Sequence, residues 1–503
     1  MDIVISKDGI TFDINNFLEL YGIKRFQKLK SHFTISNKNK ITNTYIKTYL
    51  FKTKLDENKK FFILPKFALN SFYKKGMVKN ITSELLSGDS IHTNYIGESN
   101  SNQKIVIEYI LNNLFPSQNK YFNGCILNML AGSGKTFLAM DLINKIQKKT
   151  LIIVPNKLLL EQWVELLTEF FPNNTIGYLY STKKKDGDII VAIINTAASL
   201  ESFTLLKKHG GNTIIIDDLM QQIGLVIFDE AHLYVSKEFK KVYSRIYSKI
   251  TIGLTATPIR DDNLHRISEL NIGNIINAHE LDGYIQKSIN YNSLVTFYRY
   301  RCLPQYCEYK VRDDGIIDYQ SILENIINDE QRNDLIVENI INLSKEKLAN
   351  VFVFSERRTH VELLFDLLKL KLENINSQDI DYNISIPELE KNIILYGGVK
   401  KNVIEEAQNK SNIIFTTYAY SSVGLSIDRF NGLILCTPRK KISSFTQILG
   451  RIFRSSSDEN NNKKRHIIDI IDYKLPIKNG YRNRLQVYAD RDCDIEYIDY
   501  HST

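Results

Sequence analysis

No stretch of eighteen apolar residues occurs in this chain, so no membrane-spanning helix is expected. Met1-Asp2-Ile3-Val4 brings neither a basic lead nor an apolar core, which argues against a secretory signal and for a cytoplasmic protein. The five cysteines (Cys125, Cys302, Cys307, Cys436 and Cys493) form no Cys-x-x-Cys pair and have no nearby His partners. Cys302 and Cys307 are closest in sequence, yet nothing completes a four-ligand zinc set, and reduced thiols are expected. There is no repeat of solenoid period and no metal-nuclease constellation.

What is present is ordinary in bulk. A chain of 503 residues, 43% hydrophobic and 24% charged, is a soluble globular protein with room for two to four domains. The charge is unevenly placed. Residues 1–98 hold 16 Lys+Arg against nine Asp+Glu, a net of +7 within a total of +8. From Lys24 to Lys79 there are 15 basic residues and two acids, Asp56 and Glu57, interleaved with Phe26, Phe33, Tyr45, Tyr49, Phe51 and Phe61. Basic residues with aromatics between them suit phosphate contacts and base packing, although lysines facing water give the same composition.

Residues 1–98 therefore read as a small basic accessory domain, β-rich or α+β, expected to bind nucleic acid. Within it Tyr45–Thr53 and Phe61–Leu64, with a turn at Asp56-Glu57-Asn58, predict a hairpin. The Ser/Gly/Asn-rich stretch Ser87–Asn102 predicts a linker or domain boundary. After Gln103 short apolar runs alternate with helical stretches: 125–127, 151–154, 189–194, 225–228 and 250–254. The rhythm fades over 272–293 and resumes at 351–354, 393–395, 413–415, 433–435 and 467–470. Buried strands alternating with helices predict an α/β fold, with one parallel-sheet domain over 99–285 and another over 286–480. A helix and tail follow over 481–503. Polar segments at Asn374–Asn383 and Ser455–Lys464 read as surface loops.

The chemistry starts where the run Cys125-Ile126-Leu127 breaks into Ala131-Gly132-Ser133-Gly134-Lys135-Thr136 and a helical pattern follows. Strand, glycine turn and helix N-terminus make a phosphate cradle. Lys135 would reach the β- and γ-phosphates of ATP and Thr136 would hold Mg2+, although Gly-x-Gly-Lys-Thr alone also fits a tight turn. Asp229-Glu230-Ala231-His232 closes another apolar strand, 94 residues after Lys135. An Asp there suits a Mg2+ ligand, and Glu230 is placed to take a proton from water. Thr255 and Thr257, at the end of a further strand, could link His232 or the γ-phosphate region to the domain interface, although in isolation a strand-end turn punctuated by Pro258 is the plainer reading. Gln447, Arg451 and Arg454, spaced by four and three, predict one helical face, its arginines able to enter a phosphate site.

Together these segments resemble a superfamily 2 DExH-type helicase over roughly residues 100–475. Gly132–Thr136 is similar to motif I, Asp229–His232 to motif II, Thr255–Pro258 to motif III and Gln447–Arg454 to motif VI. Gln103 resembles the adenine-reading glutamine; Pro155-Asn156-Lys157 and Thr196 resemble strand-gripping motifs of the first domain. Thr416, Thr417 and Gly424 resemble those of the second. Met129 and Ser426 depart from the usual residues. Val154-Pro155-Asn156-Lys157, Ile223–Val226 and Glu330-x-Arg332-Asn333 resemble the transcript-release DNA helicases of poxviruses and other large nucleocytoplasmic DNA viruses. Gly424-Leu425-Ser426-Ile427 and Leu485–Asp490 resemble phage branch-migration helicases.

The resemblance implies two RecA-like domains in tandem. ATP and Mg2+ would lie between them, with Arg451 and Arg454 completing the site on closure. It implies a monomeric motor on single-stranded, duplex or branched DNA, with RNA or a transcribing polymerase as further partners. Two rivals remain at this level: an RNA helicase, and a catalytically silent scaffold that clamps nucleic acid or a polymerase.

Overall fold

A computed structural model describes residues 1–38, 45–56, 59–69, 78–117, 120–130, 132–199, 205–207, 213–260, 262–285, 292–345, 349–378, 392–396, 399, 401–421, 429–439, 442–450, 452–453 and 464–501. The chain divides into two compact units, Met1–Gln286 and Lys287–Thr503. Among the described residues no helix is long and apolar enough to cross a membrane. All five cysteines are free.

Among the described residues the first unit holds two large sheets and two two-stranded ribbons, Thr34–Lys38 with Tyr45–Tyr49 and Leu205–Lys207 with Thr213–Ile215. Residues up to Ser83 build a five-stranded sheet in the spatial order Lys52–Asp56, Lys59–Leu64, Gly9–Asp13, Asp2–Ser6, Asn80–Ser83. The helix Ile14–His32 packs on it, its first N–H groups capped by the Asp13 carboxylate. The predicted hairpin forms between Lys52–Asp56 and Lys59–Leu64, but its first strand is split. Tyr45–Tyr49 instead pairs with Thr34–Lys38 in a separate ribbon, and Leu50, buried at the break, turns the chain. The aromatics among the lysines largely face inward. Phe12, Phe17, Phe26, Phe51 and Phe62 form one ring cluster, and Phe33 and Phe67 are buried. Tyr45 and Tyr49 stay exposed. Much of that pattern is therefore core, because a small sheet domain has little else to bury.

The predicted linker is a strap. Asp89 donates to Gln222 O (2.8 Å), Ile91 to Gln147 O (3.1 Å) and Ile96 to Phe170 O (3.1 Å). At Gly88, with φ +61°, a Cβ would lie 2.2 Å from Gly224 N, so only glycine passes there.

The larger sheet has eight strands: Lys183–Lys185, Ile176–Tyr180, Ile189–Ile193, Thr150–Val154, Leu225–Asp229, Ile250–Thr255, Asn123–Asn128 and Asn274–Asn277. Every pair is parallel except the first. The strands Thr150–Val154, Ile189–Ile193 and Leu225–Asp229 are buried at every position, as expected where helices cover both faces.

The second unit carries one wholly parallel seven-stranded sheet. Its order is Asn392–Leu395, Ile413–Thr417, Val351–Ser355, Gly432–Leu435, Arg465–Asp472, Ser293–Arg301, Asp494–His501. The tail after the helix Tyr481–Ala489 is thus an edge strand. The loop expected from Asn374 starts later, because the helix Arg358–Gln378 continues through it. Its remainder, and 455–463 of the other expected loop, lie outside the described residues.

Candidate functional site

The strand Asn123–Asn128 delivers the chain to the glycine turn, and the helix Lys135–Ile146 leaves it. Gly132 and Gly134 take φ of 85° and 79°, a conformation a side chain would strain. Gly134 is the N-cap and brings no side-chain cap, so the first-turn N–H groups stand available to an anion. Met129 is buried in the core beneath the turn, and its N–H bonds Thr255 O at 3.0 Å. The departure at 129 is thereby absorbed as packing.

Gln103 reaches the cradle from the helix Ser101–Glu108. Its side chain closes a capping box with Asn100 and donates from Nε2 to Gly134 O at 3.0 Å. A Cβ at Gly134 would sit 2.4 Å from that nitrogen. The glutamine thus braces the glycine turn, keeping one N–H and one lone pair for a base edge. Lys135 Nζ donates to Met129 O (3.2 Å) and Leu130 O (3.1 Å), curled over the loop. Ser133 Oγ bonds Leu130 O at 2.8 Å.

Two strands away, Asp229 closes Leu225–Asp229 as a buried carboxylate. It accepts from Trp163 Nε1 at 2.9 Å and from the Glu230 N–H at 3.0 Å. Burial and the neighbouring Glu230 charge push its pKa up to about 6, against the pull of Trp163 and the Lys135 ammonium. Glu230 sits at φ 52°, a left-handed conformation unusual for its type. Behind it Tyr234 ties both strands, donating to Ile153 O (2.6 Å) and Asp229 O (2.9 Å). His232 Nδ1 lies 3.0 Å from Thr255 Oγ1 and 3.3 Å from Glu230 Oε2. Thr257 joins through its N–H, which bonds Thr255 Oγ1 at 3.1 Å. Lys135, Asp229, Glu230, His232 and Thr255 thus share the carboxyl edge of one parallel sheet, where such sheets hold ligands.

Among described residues no cluster of three or more His, Cys, Asp or Glu could cage a metal ion. Asp229 with the Thr136 hydroxyl is a hard-oxygen set that fits Mg2+, which takes few protein ligands and completes its shell with water and phosphate.

The expected strand-gripping residues also have structural work. Asn156 Oδ1 caps the helix Lys157–Phe170 through Leu159 N–H at 3.0 Å. Pro155 precedes that cap, and the exposed Lys157 pairs with Glu161 at 3.4 Å. Thr196 Oγ1 accepts from Ser181 N–H at 3.0 Å.

In the second unit Thr416 and Thr417 end the strand Ile413–Thr417. Gln447 lies on the helix Ile442–Leu449. That helix ends at Leu449, and the face expected to join Gln447 to Arg451 and Arg454 falls outside the described residues. Beyond the helix the N–H groups of Ile452 and Phe453 bond Leu449 O, and both side chains are buried. Ala131, Gly424, Ser426, Arg451 and Arg454 lie outside the described residues.

Similarity to known proteins now adds to this geometry. Residues 96–260 match the family described as Type III restriction enzyme, res subunit. QP509L of African swine fever virus (isolate Tick/Malawi/Lil 20-1/1983), provisionally named an ATP-dependent RNA helicase, is 28% identical over 406 residues. The alignment covers 77% of this chain and 72% of that one. Helicase 161L of invertebrate iridescent virus 6, also a provisional name, is 27% identical and covers 79% and 82%.

The chain resembles superfamily 2 helicases.

By that likeness it is a nucleic-acid-dependent ATPase. The helicase shares its fold with the DEAD-box helicase Mss116 bound to single-stranded RNA (TM-score 0.52, 13% identity, 79% and 75% coverage). It also shares it with the Type ISP restriction-modification enzyme LlaBIII bound to DNA (TM-score 0.51, 13% identity, 81% and 32% coverage).

Motif reading of the helicase missed two arrangements. Trp163, on the helix Lys157–Phe170, is the N–H donor to Asp229. Glu330-x-Arg332-Asn333 proves to brace the second sheet. Arg332 is buried and bonds Asp472 at 2.8 and 3.4 Å and Cys436 O at 2.6 Å. Asn333 accepts from His360 Nε2 at 2.9 Å, and Ser355 Oγ meets His360 Nδ1 at 2.9 Å. Nearby, Arg484 holds Asp469 with two 2.7 Å bonds and donates to Arg439 O at 3.1 Å. Both arginines therefore fix the segment 436–439 that leads into the helix bearing Gln447. A sequence holds no signal of pairings 140 and 15 residues apart, beyond the oddity of charges inside apolar runs.

Proposed function

We propose that this helicase is an ATP-driven DNA motor that moves along or remodels strands during viral transcript release or recombination. The observation that carries the reading is the single sheet edge holding an open glycine cradle with Lys135 and, two strands off, the Asp229–Glu230 pair. Lys135 and the helix N–H groups bind the β- and γ-phosphates, flanked by Ala131, Gly132 and Ser133. Thr136 and Asp229 hold Mg2+, which supplies charge neutralisation at the phosphates when bound. Glu230 Oε orients the attacking water and takes its proton. Gln447, Arg451 and Arg454 supply positive charge and hydrogen bonds to the transferring group, a contribution of roughly 10³ to 10⁵ in rate for such arginines. Gln103 offers its remaining amide positions to the adenine edge. His232, Thr255 and Thr257 couple the acid pair to the strand-gripping loops.

Pro155, Asn156, Lys157, Thr196, Thr416, Thr417 and Gly424 contact the strand backbone, so little sequence preference and steep salt dependence are expected. A second reading, an RNA motor, is favoured by the name of the African swine fever virus relative. ATP turnover measured with single-stranded DNA, duplex DNA, forks and RNA at matched salt separates the two. Lys135→Ala is expected to lower stimulated turnover by roughly 10² to 10³. Stimulation surviving in that variant would defeat the mechanism, and stimulation by RNA alone would replace DNA as substrate.

A further inference from the structure

A cavity of about 490 Å³ opens inside the first unit, between the small N-terminal sheet and the helices flanking the larger parallel sheet. That volume lies within the range of roughly 300–1,000 Å³ that accepts small organic ligands. Its apolar wall is made by Tyr49, Phe51, Leu64, Met220 and Tyr243. Its charged wall is made by Lys7, Lys52, Lys240, Lys241 and Arg245, against Asp8 and Asp217. Asp217 is already compensated, since Lys7 and Tyr247 both bond it. Among the described residues Lys240 and Arg245 make no ion pair, so the wall keeps net positive charge facing the void.

The walls are held apart rather than left to collapse. Lys52 Nζ bonds Ser244 Oγ at 3.1 Å across the two sheets, Lys66 Nζ bonds Ile246 O at 2.8 Å, and Asn37 Nδ2 bonds Asp262 O at 2.8 Å. Tyr49 stands exposed at the rim with its ring 5.3 Å from that of Phe51. Ala198, another wall residue, lies on the same short helix, Ile194–Ser199, as Thr196. A six-residue helix is ~9 Å long, so a strand gripped at Thr196 passes within a few nucleotides of the opening.

We propose that this cavity receives one unstacked nucleotide of the bound strand, its base against Tyr49, Phe51 and Tyr243 and its phosphate on Lys240 and Arg245. The inference rests on the reading of the chain as a nucleic-acid motor and adds a second holding point outside the ATP site. An aromatic rim with a cationic back wall is the arrangement that binds single strands without reading sequence. The small basic domain then acts through the interface it forms, where the exposed Tyr49 meets the motor's own lysines, rather than through the aromatics buried in its core.

The test is photocrosslinking of the full chain to a strand carrying a single 4-thiothymidine or 4-thiouridine, followed by peptide mapping. Binding of the Tyr49→Ala/Lys240→Glu variant is measured alongside, with circular dichroism to verify its fold. Expected are crosslinks within 49–52 or 240–245 and roughly tenfold weaker strand binding by the variant. Crosslinks confined to 155–157 and 196, with unchanged affinity, would overturn the cavity assignment while leaving strand-stimulated ATP turnover intact. Absence of both strand binding and stimulated turnover would defeat the motor reading and this inference together. Cavity labelling by a free photoreactive nucleoside monophosphate but not by the strand would make it a site for free nucleotide, and would overturn the strand occupant.

Discussion

His360 makes the second sheet acid-sensitive in a way that can be measured. The imidazole is fully buried between Ser355 Oγ and Asn333 Oδ1, each 2.9 Å from a ring nitrogen. Asn333 Nδ2 donates to Ile327 O at 2.8 Å, which fixes its oxygen toward the ring. An acceptor on one side requires Nε2–H there, leaving Nδ1 to accept from the Ser355 hydroxyl. A second proton would have to sit on Nδ1, beside a hydroxyl, in a dry site near the Arg332 guanidinium. Burial and that arginine push the pKa from 6.5 down to about 3. Because the folded value is depressed, the stabilisation is present above the unfolded pKa and is lost as pH falls toward the folded one. The whole shift corresponds to on the order of 4–5 kcal/mol, of which about 2 kcal/mol is lost between pH 7 and pH 5.

His360→Gln keeps a donor and an acceptor but no titratable proton. Urea unfolding separates the units, because Trp163, the chain's one tryptophan, reports the first unit alone while circular dichroism sees both. The variant is expected to start less stable at pH 7, and its deficit should shrink by about 2 kcal/mol at pH 5. A wild-type to variant difference that stays constant over this range would refute the assignment of His360 as a buried neutral base.

Breaking the neighbouring ion pair is read at pH 7 alone, because Arg332 also holds the His360 pKa down. Arg332→Met leaves Asp472 buried without its partner and should cost about 3–5 kcal/mol in the second unit, while Arg332→Met/Asp472→Leu should recover most of it, read from the same unfolding curves. Trp163→Phe removes the donor to Asp229, a bond to a charged acceptor of about 1.5–3 kcal/mol; turnover near pH 7 should fall roughly tenfold and recover toward pH 8.5 as the carboxyl ionises. Thr255→Val takes away the hydroxyl between His232 and the Thr257 N–H; strand displacement per ATP should fall more than ATP turnover does, and equal losses in both assays would remove Thr255 from coupling.

The strands of both parallel sheets that are apolar on every residue could be read from sequence, because burial on two faces leaves continuous runs such as Leu225–Phe228 and Val351–Phe354. Strands paired near an edge could not. Ser293–Arg301 alternates Val295, Phe297 and Arg299, and Asp494–His501, bonded on one side only, is polar at half its positions. The glycine turn and the acid tetrad were legible because each is local. The Trp163–Asp229 bond spans 66 residues and leaves no mark in spacing. In the N-terminal domain composition left the choice open, since Phe26, Phe33 and Phe62 look the same in sequence whether they meet a base or each other.

The strand Ile250–Thr255 lies between the one that feeds the phosphate turn and the one that ends in Asp229, with Thr255 opposite Asn128 and Leu254 opposite Asp229. Two strand spacings are roughly 10 Å, set by backbone hydrogen bonds and insensitive to what the side chains are. The middle strand is therefore a fixed ruler. Loops and helices around it can be exchanged without changing the span between cradle and acid, so reach across the gap is decided by side-chain length alone. Lengthening one end by a single methylene, as in Asp229→Glu, moves a carboxylate by more than the tolerance of a metal-oxygen bond, and no adjustment of the sheet can take the error back.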